Sequence, residues 1–232
     1  MSTLATSLGG FLGSSIGKKW IVALSGLVLL GFLAGHLTGN LLVYVGPDAM
    51  NGYAEFLHHF LHGTGVWIAR IVLLVALVAH VVFTIQLTIA NRKARPQRYA
   101  IEVTQNASKG SKWMALSGLL ILCFIVFHLL HYTVRIDTFG FGDIPLDSEG
   151  RFDVYKMMIA GFSNVWVSLF YIISIALLCL HLSHGVTSLF QTLGLTTPKT
   201  KAIYEVVGMG FSAAIFVGFA SIPLSVLFGW VK

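Results

Sequence analysis

Five apolar runs decide what this chain can be. Residues Trp20–Val45, Val66–Ala90, Trp113–Val134, Val165–Phe190 and Val206–Val231 each exceed the roughly 20 residues that a helix needs to cross a bilayer core. Arg70 is the one formally charged side chain in all five. The runs occupy more than half of the 232 residues, so no sizeable water-soluble domain fits around them. Charged residues make up 10% of the chain, against about 25% in a soluble domain, which excludes an ordinary soluble enzyme or a disordered chain. Cys123 and Cys179 are the two cysteines, both within apolar runs, so a disulfide scaffold is excluded and both are expected to be buried packing residues. The expected fold is an all-α integral membrane protein of five transmembrane helices, a single domain over residues 1–232.

The first run follows Lys18 and Lys19, as a secretory signal does. It is far longer than the 7–15-residue apolar segment of a signal peptide, and no A-x-A-like exit follows it. We read it as a retained span.

The connecting segments set the direction. Lys18, Lys19, Arg92, Lys93, Arg95, Arg98, Lys109, Lys112, Lys199 and Lys201 fall on one side, with Glu102 and Glu205. The other side has Arg135, Arg151, Lys156 and Lys232 against Asp48, Glu55, Asp137, Asp143, Asp147, Glu149 and Asp153. Positive charge marks the cytoplasmic side, so the N-terminus is expected inside and the C-terminus outside. The basic inner face suits docking to an acidic partner, although topology alone accounts for it equally well.

Histidine is the informative residue. His58, His59 and His62 lie in the first outer loop, whereas His36, His80, His128, His131, His181 and His184 lie within four consecutive spans. Ionisable groups at membrane depth are costly and mark functional sites. An internal repeat sorts them: LSGLVLLGFLAGHL at 24–37 matches LSGLLILCFIVFHL at 116–129, aligning His36 with His128. Counted from the basic anchors Lys19 and Lys112, both lie about 25 Å up, near the outer face. His80 lies about 18 Å above Arg92, and His184 also falls in the inner half, with His181 one turn farther out. Depth therefore gives an outer pair, His36 and His128, and an inner pair, His80 and His184.

Zinc and di-iron sites usually add Cys or carboxylate ligands, and no span carries an Asp or Glu. Haem needs one axial ligand on each face, so two histidines on facing helices complete it. Two haems at different depths would bridge most of the membrane within a bundle of the first four helices. Gly31, Gly35 and Gly39 beside His36 form a shallow groove for a porphyrin, or equally an ordinary small-residue helix contact. His131 and His181 remain, each three residues from a ligand, suited to a propionate, a quinone or alternative ligation. Arg70, near the outer end of the second span, suits a propionate or simply snorkels to the interface.

These features resemble the cytochrome b subunit of succinate:quinone oxidoreductases (succinate dehydrogenase and fumarate reductase), in its five-span, two-haem b558 form. The resemblance covers nearly the whole chain. It rests on SSIGKKW at 14–20, GHLTGN at 35–40, NLLVYVGPDAMNGYAEFL at 40–57, the His128 segment and HLSHGVTSLFQTLG at 181–194. The last selects His184, before Gly185, as the fourth-span ligand. The resemblance implies two haem b groups in the cytoplasmic membrane of a bacterium. It implies an FAD flavoprotein and an iron–sulfur subunit docked on the cytoplasmic side, where succinate chemistry takes place. Electrons would pass through the inner and then the outer haem to a quinone, usually menaquinone, near the outer face, or in reverse for fumarate reduction. Glu55 and His58 fall where relatives place a quinone-linked carboxylate. Some fumarate-reducing relatives carry a Glu two residues before the fourth-span ligand, where this chain has Leu182. A different cytochrome b, of the hydrogenase or formate dehydrogenase type, is the alternative; the 92-residue repeat and the HLSHG segment speak against it. A histidine-lined transporter without haem is a third reading, and would be colourless.

Overall fold

The computed structural model describes residues 10, 11, 13–94, 109–136 and 144–232. Arg95, Arg98, Glu102, Asp137 and Asp143, used above to orient the chain, lie outside the described residues. Among the described residues seven α-helices follow in order: α1 (Ser15–Asn40), α2 (Pro47–His59), α3 (Thr64–Lys93), α4 (Lys109–His128), α5 (Val154–Phe162), α6 (Val165–Thr192) and α7 (Lys201–Leu227). A 3-10 turn, Leu41–Tyr44, prolongs α1, and a π-helical segment, Leu129–Val134, prolongs α4.

All five apolar runs are helices long and apolar enough to cross a membrane. A backbone in hydrocarbon must satisfy its own polar groups, and a helix does so within one segment. The ends differ from expectation by a few residues, for identifiable reasons. The first span starts at Ser15 because Ser14 caps it, its Oγ accepting from Gly17 N at 3.0 Å. The last stops at Leu227 because Gly229 turns the chain at φ +68°. Asn164 starts α6 by accepting from Trp166 N at 2.9 Å.

Helix α3 lies along α1, α4 along α6, and α7 along α6, while α1 also touches α6 and α7. Small residues set the closest approaches. A Cβ on Gly208 of α7 would lie 2.8 Å from the Ser183 carbonyl, and one on Gly218 would lie 2.8 Å from the Leu37 methyls. Cys179 is buried in this packing, as expected, but Cys123 is exposed. The expectation that both were buried is corrected: an apolar span shows an outer face as well as an inner one, and composition does not tell them apart.

Two short helices, α2 and α5, cover the acidic end. Pro47 opens α2, and Asp153 caps α5 by accepting from Lys156 N at 2.9 Å. Asn51, 1% exposed, ties them together. Its Nδ2 donates to Asp147 Oδ2 and Asp153 Oδ1, each at 3.1 Å, and its Oδ1 accepts from Tyr155 N at 3.0 Å. Arg151 adds ion pairs to Asp147 and Asp48, both at 2.8 Å. Desolvation opposes ionisation of Asp147, but bonds from Arg151, Asn51 and the Glu149 amide outweigh it and bring its pKa down to about 2. Asp153 is likewise lowered, its desolvation outweighed by Lys156 and Asn51. Beneath this cap Met50, Tyr155, Met158 and Phe162 join Tyr171, Ile215 and Ile222 in the core.

Candidate functional site

The histidines of the spans gather in two layers. Near the acidic end, His36 of α1 and His128 of α4 stand with ring centroids 5.9 Å apart and planes at 77°. The rings meet edge to face at a spacing common to aromatic pairs, and both His36 ring nitrogens lie near Asn40 Nδ2, at 3.3 and 3.4 Å. Phe32 stacks on His36 at 5.2 Å, and Phe219 of α7 closes its far side at 5.8 Å. Asn40, one turn on, donates to the His36 carbonyl at 2.7 Å. The alignment of His36 with His128 in the repeat is thus matched by proximity in space.

Behind His128 lies a second group that the repeat does not include. His131 is 0% exposed, and its Nδ1 lies 2.9 Å from the Tyr171 hydroxyl. The same hydroxyl lies 3.2 Å from His128 Nδ1. The π-helical winding of Leu129–Val134 helps to aim these rings, a distortion often found at functional sites. Tyr132 packs on His131 with centroids 4.3 Å apart and reaches α5, where Gly161 makes room for it.

Toward the basic end, His80 of α3 docks on α1. Its Nδ1 lies 3.1 Å from the Val22 carbonyl and 3.4 Å from Ser25 Oγ. Its ring lies flush against Gly26, where a Cβ would sit 3.2 Å from Cε1. His181 of α6 makes the corresponding contact with α4: Nδ1 is 3.1 Å from Ser117 Oγ, and Cε1 would be 3.5 Å from a Cβ on Gly118. Ser25–Gly26 and Ser117–Gly118 are matched positions of the repeat, so one notch occurs twice and receives one imidazole each time. His184 follows His181 by three residues on α6. His181, expected one turn farther out than His184, thus occupies the position equivalent to that of His80.

A carbonyl accepts only from a nitrogen that carries hydrogen. The Val22 carbonyl thus puts the His80 proton on Nδ1 and leaves Nε2 with a lone pair, the state in which imidazole binds a metal. Gly31 and Gly35 on α1 have open space where a Cβ would lie, as does Gly185 beside His184. Gly39 does not belong to that groove, because the Tyr53 ring fills the space beside it.

The remaining candidates lie apart from these layers. The Arg70 guanidinium stands 4.9 Å over the Trp67 ring, and both side chains are exposed, an arrangement that suits an interfacial anchor. Glu55 and His58 are exposed on α2, and His58 Nδ1 bonds back to the Ala54 carbonyl at 2.8 Å. Sequence reasoning missed Tyr171, whose only signal was a buried hydroxyl amid apolar residues, and the role of Ser25 and Ser117, which it recorded only as matches in the repeat. Comparison with protein-family models, curated proteins and solved structures gave no match to this chain.

Proposed function

We propose that the chain is the di-haem cytochrome b membrane anchor of a succinate:quinone oxidoreductase, carrying electrons between an iron–sulfur subunit and membrane quinone. The observation that supports this most is the arrangement of imidazoles from four helices, His36 meeting His128 toward one end and His80 and His181 seated in matched notches of α1 and α4 toward the other. Imidazole pairs without carboxylate or thiolate company suit a metal whose other ligands come from a porphyrin. The open glycine edges of α1 and α6 suit its close approach.

Haem b, when bound, supplies a one-electron couple at its iron. The protein's part is to hold and tune it. His36 and His128 would hold one group, and His80 and His184 the other. The Val22 carbonyl fixes the tautomer of His80 and, with Ser25, its rotation, and the Tyr171 hydroxyl fixes the rotation of His128. Phe32, Phe219 and Phe124 line the acidic-end layer. Lys18 and Lys19 at the start of α1, with Arg92 and Lys93 in the last turn of α3, form the basic end on which the FAD and iron–sulfur subunits would dock. Quinone, expected to be menaquinone, would react at the opposite end, with Glu55 and His58 as candidate contacts. The cytoplasmic membrane of a bacterium, with the N-terminus inside, follows from the same reading.

A pyridine haemochrome assay on the purified protein tests it, with two haems per polypeptide expected. One haem or none refutes the pairing. Co-purification with a nickel or molybdenum protein instead of a flavoprotein would favour the hydrogenase or formate dehydrogenase alternative.

A further inference from the structure

The Tyr171 hydroxyl lies between two imidazole nitrogens, His128 Nδ1 at 3.2 Å and His131 Nδ1 at 2.9 Å. A hydroxyl has one proton, so it donates to one ring and accepts from the other. The site is dry: His131 is 0% and Tyr171 3% exposed. The two bonds can run in either direction along the chain of His128, Tyr171 and His131. Ligation of a metal through His128 Nε2 removes one of the two directions. His128 must then carry its proton on Nδ1 and donate to Tyr171, and Tyr171 must donate to His131 Nδ1.

We propose, on the reading of His128 as a haem ligand, that Tyr171 and His131 are positioning residues that act in series through His128 and hold down the reduction potential of the acidic-end haem. An imidazole that donates from its second nitrogen is a more basic ligand, and a more basic ligand favours the oxidised metal. The acceptor is strengthened when it is itself a donor, because hydrogen bonds in a chain polarise one another in a low dielectric. His131 thus acts only by way of Tyr171. The neighbours support the placement: Phe127, Tyr132 and Phe162 pack around His131 and Tyr171 and hold the two rings in register.

The test is a redox titration of the purified, haem-loaded protein, following each haem by its absorbance band and its low-spin resonance. Tyr171→Phe should keep both haems and raise the ferrous-to-ferric ratio of the acidic-end haem about tenfold at a fixed ambient potential, equivalent to about 59 mV for one electron. The other haem should not move. His131→Leu should shift the same haem in the same direction by less, and adding it to Tyr171→Phe should shift nothing further. An unmoved potential in Tyr171→Phe overturns the proposal, as do additive shifts in the double variant. Loss of the haem in His131→Leu overturns it too, because His131 would then be a ligand. If Tyr171→Phe does not accumulate, the upward shift in His131→Leu decides the matter alone. A preparation without haem overturns the proposed function together with this inference; two haems with unmoved potentials overturn the inference alone.

Discussion

Replacing Asn51 should release the cap over the acidic end. The side chain is buried and makes three hydrogen bonds, two of them to carboxylates and one from the Tyr155 amide. Asn51→Ala removes all three and leaves that amide without its acceptor. A bond to a charged group contributes about 1.5–3 kcal/mol, and a stranded buried donor costs about 1–3 kcal/mol. Arg151 and Lys156 still hold the two carboxylates, so the lower figures apply and the loss is about 4 kcal/mol in total. At about 2–4 °C per kcal/mol for a chain of this size, the thermal midpoint should fall by about 8–16 °C. Asn51→Asp places a third carboxylate between Asp147 and Asp153 and should be worse at pH 8 than at pH 5, where the new acid can take up a proton. The wild-type cap responds in the opposite sense. Asp147 and Asp153 have lowered pKa values when folded, so their contribution is complete above the ordinary carboxylate range and is lost as pH falls below it, that of Asp147 toward about 2. Thermal unfolding of the detergent-solubilised protein at several pH values is the assay. A midpoint unchanged in Asn51→Ala, or the same pH response in both variants, would refute the reasoning.

Other outcomes follow from the same geometry. Gly26→Val should push the His80 ring out of its notch, because even one methyl would sit 3.2 Å from Cε1, and should cost the basic-end haem while sparing the other in a haem count. His36→Leu or His128→Leu should lose the acidic-end haem, and His80→Leu or His184→Leu the basic-end one, while His181→Leu keeps both. Retention in His184→Leu with loss in His181→Leu would move ligation to the ring docked on Ser117. Glu55→Gln should keep both haems and slow quinone reduction about 10²-fold if that carboxylate exchanges protons with quinone, while dye reduction by succinate in the assembled complex is unchanged; normal quinone reduction would remove Glu55 from the site.

The five long helices were legible because uninterrupted hydropathy leaves one backbone solution in a membrane. The meeting of His36 with His128 was legible through the repeat, which fixed both depth and orientation. The cap was not. Helices α2 and α5 are short, and the cap that joins them depends on Asn51 meeting Asp147 and Asp153 some 100 residues away, a pairing without local periodicity. Cys123 and Arg70 show a related limit. Hydropathy gives membrane depth but not azimuth, so it did not reveal that the one faces outward and the other lies over Trp67. Tyr171 was invisible for the opposite reason: its meaning lies in two histidines on another helix.

The π-helical segment after His128 has a consequence for how this helix tolerates change. A π turn closes on one residue more than an α turn, so Leu129–Val134 stores an extra residue without lengthening the hydrogen-bonded rod in proportion. Deleting Leu129 or Leu130 would let the segment relax to ordinary winding, with what lies beyond keeping its register and the phase of His131 and Tyr132 against His128 changed. Hydropathy along the span would hardly change, and insertion into the membrane would proceed as before. What would be lost is phase: His131 and Tyr132 would turn away from α6 while His128 stayed in place. The segment thus behaves as a vernier, setting the angular offset between neighbouring side chains independently of their depth, and a one-residue indel here is a change of address that no apolarity profile would register.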